Sequence, residues 1–237
     1  MAIQVPEADL AQIASQLESE SAETVLKEVV ERFSPGVAVS CSFGGPSGLV
    51  IVDQLARMNL LDRVEVYYLD TGLLFSATHS VREEIERRYG FEATAYRPRL
   101  SLSQQASLHG NDLWDRDPDA CCAIRKVAPN ADALAGKSAW ITGIRRDQFA
   151  GRIGTPVLAW NSKFSLMKVA PLRDWSEEKV WEYIRLHRVP YNPLHDDGYP
   201  SLGCNTVCTV KAGVGESLRA GRWRGRDKTE CGLHDSV

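Results

Sequence analysis

The chain has 237 residues, 43% apolar and 25% charged, with a net charge of -3. That length suffices for one large α/β domain or two small ones, and the balance excludes a disordered chain and a strongly basic nucleic-acid binder. No run of about 18 apolar residues marks a membrane span, and the acidic start MAIQVPEADLAQIASQLESE lacks the basic and apolar regions of a signal peptide. The expectation is a cytoplasmic enzyme with no membrane and no nucleic-acid partner.

Two helices are expected first, the second in SAETVLKEVVERF, where Ser21 can cap and Val25, Val29 and Phe33 recur at helical spacing. GVAVSCS follows as a short, β-branched, buried strand; it runs into FGGPSG and a helix in LVIVDQLARM. VEVYYL is a second strand, followed by DTGLLF and a helix in THSVREEIERRYG. FEATAYRP reads as a third strand, CCAIRKVAPNADALAG as a helix, SAWITG as a fourth strand and TPVLAW as a fifth. Asp174 is placed to cap WSEEKVWEYIRLH, with Glu177 completing a capping box. Strands alternating with helices predict an α/β fold, a doubly wound and mainly parallel sheet covered on both faces. After Pro190 the pattern breaks into the loop VPYNPLHDDGYPSLGC and a tail rich in Gly and Arg, an extension of the same domain.

The turn SFGGPSG, Ser42 to Gly48, lies between a strand and a helix, where glycines admit an anion to the backbone and the helix N-terminus supplies donors. A plain turn with small residues has the same pattern; this one is neither a P-loop nor a GxGxxG fingerprint. LDTG, with Thr71, and TGIRRDQ, with Gly143, end two later strands. Three such turns at strand carboxyl ends converge on one ligand site in an open sheet. Arg145, Arg146 and Arg152 are expected to make that site cationic.

Six cysteines are present. Without a secretory signal, metal ligation or thiol chemistry is a better reading than a disulfide framework. Cys121 and Cys122 are adjacent, and Cys204 and Cys208 form a second close pair. Two tight pairs match the ligand count of zinc or an iron–sulfur centre, and vicinal ligands favour a cluster, whose separate irons each take one thiolate. Small buried thiols on a helix face are the alternative. Cys41, in the first strand, reads as structural. Cys231 lies in a tail where Arg219, Arg222, Arg224, Arg226 and Lys228 outnumber Asp227 and Glu230, an excess that stabilises a thiolate, binds an anion or faces solvent.

Taken in order, SFGGPSG, LDTGLLF, CCAIRKVAP, ITGIRRDQ, PYNPLHDDGYPSLGC, RAGRW and KTECGLH resemble the bacterial, cluster-containing adenylyl-sulfate reductases, over most of the chain after about residue 36. The resemblance implies an adenine-nucleotide-binding sheet of the pyrophosphate-loop type. It implies residues 1–190 as the nucleotide-binding part with N-terminal helices, and 191–237 as the cysteine loop and a mobile catalytic tail of the same domain. It further implies attack of a tail cysteine on the sulfur of adenosine 5′-phosphosulfate and an S-sulfocysteine resolved to sulfite by thioredoxin or a similar dithiol. Carried over residue by residue, Cys231 is the nucleophile, and Cys121, Cys122, Cys204 and Cys208 hold a [4Fe–4S] cluster. Lys126 links the cluster region to the sulfate. Arg152, Arg219, Arg222 and His234 hold the phosphosulfate, and Ser42, Gly44, Thr71 and Gly143 line the nucleotide. Enzymes of this size often self-associate, so a homo-oligomer is compatible.

The sequence departs from that pattern at four places. The second cysteine pair is CNTVC, one residue longer than the usual C-x-x-C; SAT stands in place of PET after LDTGLLF; RGR follows GRW; and Pro46 stands where pyrophosphate-loop enzymes usually carry an acid. Three alternatives therefore stay in view: a reductase of the 3′-phosphorylated nucleotide, an adenylating enzyme of the same fold, and a zinc-stabilised or redox-sensing protein without turnover.

Overall fold

A computed structural model describes residues 7–213 and 215–234. Helices α1 (Glu7–Leu17) and α2 (Ala22–Phe33) open the described chain, and the Ser21 hydroxyl caps α2 by accepting from the Thr24 amide. Val25, Leu26, Val29, Val30 and Phe33 are all buried, each worth roughly 1.5–3 kcal/mol relative to exposure.

Strands β1 (Val37–Ser40), β2 (Glu65–Leu69), β3 (Thr94–Tyr96), β4 (Ala139–Thr142), β5 (Leu158–Asn161) and β6 (Leu166–Val169) form one sheet in the order β3-β2-β1-β4-β6-β5. Every pairing is parallel except the β5–β6 hairpin. The period-two alternation of strands splits their side chains between two cores. Val37, Val39, Val66, Tyr68, Ile141, Met167 and Val169 enter one, with α2 and helices α3 (Pro46–Arg57) and α4 (Ser76–Tyr89). Ala38, Tyr67, Trp140 and Leu166 enter the other, with Ala133 and Leu134. The expected doubly wound, mainly parallel sheet is therefore present.

Local outcomes differ from expectation in five places. LMKV, not singled out in the sequence, forms β6, and its antiparallel hairpin with β5 closes an edge. Cys41 follows β1 instead of lying in it, and is buried against the start of α3. Helix α5 (Leu102–His109) is not among the expected elements, although Ser101 and Gln104 form a full capping box. Ser176, not Asp174, caps helix α6 (Glu177–His187), accepting from the Lys179 amide, while the Asp174 carboxylate pairs with Arg146 and Arg173. The expected long cysteine helix is broken by proline chemistry. Pro118–Cys122 is helical, Ala123–Val127 is a π-helical turn and Ala128–Leu134 is helical again. Pro129 has no N–H to return to the Arg125 carbonyl, so the ladder widens just before it. No helix among the described residues is long and apolar enough to cross a membrane.

Candidate active site

β1 lies between β2 and β4, and its register aligns Ser40 with Tyr67 on one side and Thr142 on the other. The turns after these three strands therefore leave the same edge of the sheet, at the point where the strand order reverses. They enclose a cleft of about 270 Å³ whose walls include Ser42, Gly44, Thr71 and Gly143. The sequence expectation that three turns meet at one site is met.

Each turn is held by short-range chemistry. Ser42 Oγ accepts from the Gly45 amide at 3.3 Å, and Thr71 Oγ1 accepts from the Leu73 amide at 3.2 Å. Phe43 sits at φ 52°, buried edge-on against Tyr68. A non-glycine residue in that region carries strain, which ligand-binding turns tolerate when their surroundings fix them. Gly143 packs so closely on the start of α3 that a Cβ there would lie 2.9 Å from Ser47 Cβ and 3.0 Å from the Gly48 amide. His195, from the loop after α6, bonds the Gly44 carbonyl at 2.9 Å and braces the first turn.

Arg145 also lines the cleft, but its charge is spent. It is 1% exposed and bonded to Ser47, Asp147, Glu177 and the Trp175 carbonyl. Arg146, expected in the site, is outside it: it turns away to Glu18, Asp174 and the Thr155 carbonyl.

The cationic wall comes from two other places. Arg152 enters from the loop after β4, and Arg219 and Arg222 enter from the tail. The guanidinium groups of Arg152 and Arg219 each lie 5.3 Å from the ring centroid of Phe149. Burial, together with Arg222 and Arg152, pushes Arg219 down to about 10 against the pull of Glu230, which still leaves it cationic at neutral pH. Arg222 spans the cysteine loop, donating to the Cys208 carbonyl at 3.1 Å and the Leu202 carbonyl at 3.2 Å. It crosses directly over Gly203, where a Cβ would meet its guanidinium at 2.4 Å.

The tail is packed down on this wall. Glu230 pairs with Arg152 and Arg219, Lys228 pairs with Asp119, and the Lys163 ammonium donates to the Gly232 carbonyl at 2.7 Å. These bonds set Cys231 and His234 into the lining of the cleft. All ten residues expected at the nucleophile and substrate positions, Lys126 included, therefore line one cavity.

Cys121, Cys122, Cys204 and Cys208 are each 6–7% exposed. Cys122, Cys208 and Trp223 form one apolar cluster, with Cys231 against its edge. Cys204 lies 3.4 Å from Thr71 Oγ1, so the thiol group adjoins the second turn of the cleft. Burial pushes the Cys122 thiol up to about 12, opposed by Lys126 and Lys228 and reinforced by Cys231 and Cys204. Cys121 is raised by burial and by Cys204 and Cys208. Burial alone would depress Lys126, but Cys204, Cys231 and Cys122 outweigh it and hold its ammonium above the ordinary value.

Among the described residues no three His, Cys, Asp or Glu side chains form a single-ion site. The donor set itself suits a multi-iron centre: thiols only, shielded from water, in two pairs from facing segments. One orphaned atom agrees with it. Trp223 Nε1 is buried without a partner beside Cys122 and Cys208, and an indole N–H there fits a sulfur acceptor. Cys41 stands apart, fully desolvated, its thiol also raised to about 12 by burial.

Sequence reading missed three contributors. Gln148 bonds Arg152, Asn130 lines the cleft with an unpartnered Nδ2, and Trp140 supplies the face on which His234 stacks. Gln148 ends the TGIRRDQ turn, where the arginines stand out, Asn130 lies just past CCAIRKVAP, and Trp140 reads only as an ordinary core residue of a strand.

The pattern of the Phosphoadenosine phosphosulfate reductase domain matches residues 36–211. The chain belongs to that family. An adenosine 5′-phosphosulfate reductase of Salinibacter ruber is 42% identical over 228 residues, which is 96% of this chain and 89% of that protein. Adenosine 5′-phosphosulfate reductase 2 of Bacillus subtilis is 42% identical over 224 residues, covering 94% and 92%. A phosphoadenylyl-sulfate reductase from Candida auris, solved as a phosphate complex, superposes with a TM-score of 0.75 at 28% identity over 86% of this chain and 98% of that one. A Candida glabrata FMN adenylyltransferase, at 15% identity and a TM-score of 0.56 over 96% and 79%, shares the fold alone. The reductase family pattern spans the three turns and both cysteine pairs; Cys231 lies beyond it.

Proposed function

We propose that the protein reduces adenosine 5′-phosphosulfate to sulfite and AMP, as part of sulfate assimilation in the cytoplasm. The observation that carries the reading is the position of Cys231, half-buried in the wall of the strand-end cleft next to Arg152, Arg219 and Arg222. The relatives named for this activity, alike over nine-tenths of the chain, support it.

The nucleotide lies in the cleft with its phosphosulfate against the arginine wall, Lys126 and His234. The turns at Ser42, Gly44, Thr71 and Gly143 receive the nucleoside and phosphate. Cys231 Sγ, as thiolate, attacks the sulfur. The S–O bond to the phosphate breaks, its electron pair leaves with AMP, and Cys231 carries –SO3⁻. The guanidinium groups offset the repulsion between thiolate and sulfonate. A dithiol reductant such as thioredoxin then attacks Cys231 Sγ. Sulfite leaves with the bonding pair, and the second thiol resolves the mixed disulfide, so two electrons pass from dithiol to sulfur.

Cys121, Cys122, Cys204 and Cys208 hold a [4Fe–4S] cluster in this reading. When bound, it supplies a charged, redox-capable centre that ties the cysteine helix to the loop after Gly203. Lys126, on the same segment as Cys121 and Cys122, faces both the thiol group and the cleft.

Mass spectrometry of the tail peptide after mixing with adenosine 5′-phosphosulfate tests the reading. A gain of one SO3 on Cys231, absent from Cys231→Ser, is expected; sulfite release by that variant at the parent rate overturns it. Offering the 3′-phosphorylated nucleotide in the same sulfite-release assay decides between the two substrates, and release of pyrophosphate from ATP would reveal an adenylating enzyme.

A further inference from the structure

The arginine wall already holds an anion, and it belongs to the chain itself. Glu230 Oε1 accepts from Arg152 Nε at 2.8 Å and from Arg152 Nη2, while Glu230 Oε2 accepts from Arg219 Nη2 at 3.4 Å. Arg152 Nη1 goes to Gln148. The side chains of Arg152, Arg219 and Glu230 are 9%, 17% and 16% exposed, so water does little to screen the contact. The forked edge of Arg152 is therefore occupied, and a second anion can take it only by replacing or sharing that carboxylate.

Charge favours replacement. Arg152, Arg219, Arg222 and Lys126 face the cleft, and among the described residues Glu230 is the carboxylate paired to that group. A sulfonate or phosphate offers the same oxygen fork with one oxygen more. Glu230 is also the immediate neighbour of Cys231, so whatever moves the carboxylate moves the thiol.

We propose that Glu230 is a built-in competitor of the substrate's sulfonate or phosphate: it holds Arg152 and Arg219 in the ligand-free protein, and surrenders them on binding, which frees Cys231 to move onto the sulfur. This rests on the function proposed above. Glu230 is a positioning residue, since it acts through Cys231 and the arginines. Arg219 Nη2 also donates to the Thr229 carbonyl at 2.5 Å, a backbone contact that does not depend on the carboxylate, while two further attachments of the tail, Lys228 to Asp119 and Gly232 to Lys163, do not involve those guanidinium groups. They keep the thiol over the cleft during the exchange.

The test compares the parent with Glu230→Gln, which keeps the shape and loses the charge, and Glu230→Asp, which keeps the charge. Alkylation of Cys231 by iodoacetamide, followed on the tail peptide of the ligand-free protein, is expected to be several-fold faster in Glu230→Gln and near the parent rate in Glu230→Asp. In a Cys231→Ser background, where no adduct forms, adenosine 5′-phosphosulfate is expected to bind roughly fivefold more tightly to Glu230→Gln. A purely structural role would loosen the tail and weaken binding together. Equal alkylation rates, or binding that is unchanged or weaker while the parent binds normally, overturn the exchange alone. A parent that does not bind the nucleotide at all overturns the proposed function and the exchange with it.

Discussion

The imidazole of His234 lies on the indole of Trp140, with ring centroids 5.0 Å apart and planes 13° from parallel. A tail residue is thereby stacked on the central strand β4, within the cleft lining. His234 titrates well below its ordinary value because burial, and then Lys168, Arg152, Arg219 and Lys163, all disfavour the imidazolium. Above about pH 6.5 the ring is neutral whether the tail is docked or free. Below that the free tail takes up a proton that the docked tail refuses, so the contribution of His234 to docking is fully present at neutral pH and declines as the pH falls. Limited proteolysis of the tail should accelerate between about pH 7.5 and 5.5, and His234→Gln should flatten that dependence. A histidine proton resonance for His234 that titrates at or above the ordinary value would contradict this.

Arg152 joins the tail to the loop after β4 through Glu230 and Gln148. Arg152→Ala should lower kcat/KM for sulfite release by roughly 100-fold, the scale of a charged hydrogen-bonding partner removed from a buried pair. Arg152→Lys should recover only part of it, because an ammonium lacks the fork. Full activity in Arg152→Ala would remove this residue from the anion site.

Gly221 and Gly203 separate backbone packing from side-chain placement. A Cβ at Gly221 would lie 2.1 Å from the Val210 carbonyl oxygen, in the bridge that pairs Thr209 with Arg222. Gly221→Ala should lower Tm by about 2–10 °C and abolish activity, since Arg222 and Trp223 follow directly. At Gly203 the obstacle is the flexible end of Arg222. Gly203→Ala should keep Tm close to the parent and raise KM as Arg222 is pushed aside; calorimetry beside steady-state kinetics distinguishes the two cases.

The thiol group predicts a metal inventory. Anaerobically purified protein should contain about four irons and matching sulfide per chain. Cys208→Ser should lose most of it despite the longer CNTVC spacing, and Cys41→Ala should lose none. Trp223→Phe should retain the iron and shift its reduction midpoint, because it removes the unpartnered indole N–H beside Cys122 and Cys208. One zinc per chain without iron would end the cluster reading.

Much of this arrangement was legible from the chain. Short β-branched runs gave β1, β2 and β4, and the polar turns that end them, with Ser42, Thr71 and Gly143, do meet at one edge. The strand LMKV escaped notice because it has no turn signal of its own and depends on pairing with β4 and β5. Arg145 and Arg146 looked equivalent to Arg152 in sequence. Their partners Glu177, Asp174 and Glu18 come from distant segments, and only tertiary contact shows that their charges are already neutralised. Glu230 reads in sequence only as a subtraction from the positive tail; its pairing with Arg152, 78 residues away, is a tertiary contact. The roles expected for Cys231 and the cysteine pairs rest on resemblance, since spacing alone leaves the pairs open between zinc, a cluster and buried thiols.

Lys228 and His234 stand on opposite sides of Cys231, and both are fastened to the body of the protein. The Cys231 sulfur thus rides on a span tethered at each end, like the middle of a bowstring. Six residue steps stretch to at most about 21 Å, so the span can bow outward by no more than about 10 Å while both tethers hold. If Cys231 carries the S-sulfonate proposed above, a reductant must reach down to it with a projecting thiol, and a flat-faced dithiol should turn the adduct over slowly until one tether is cut.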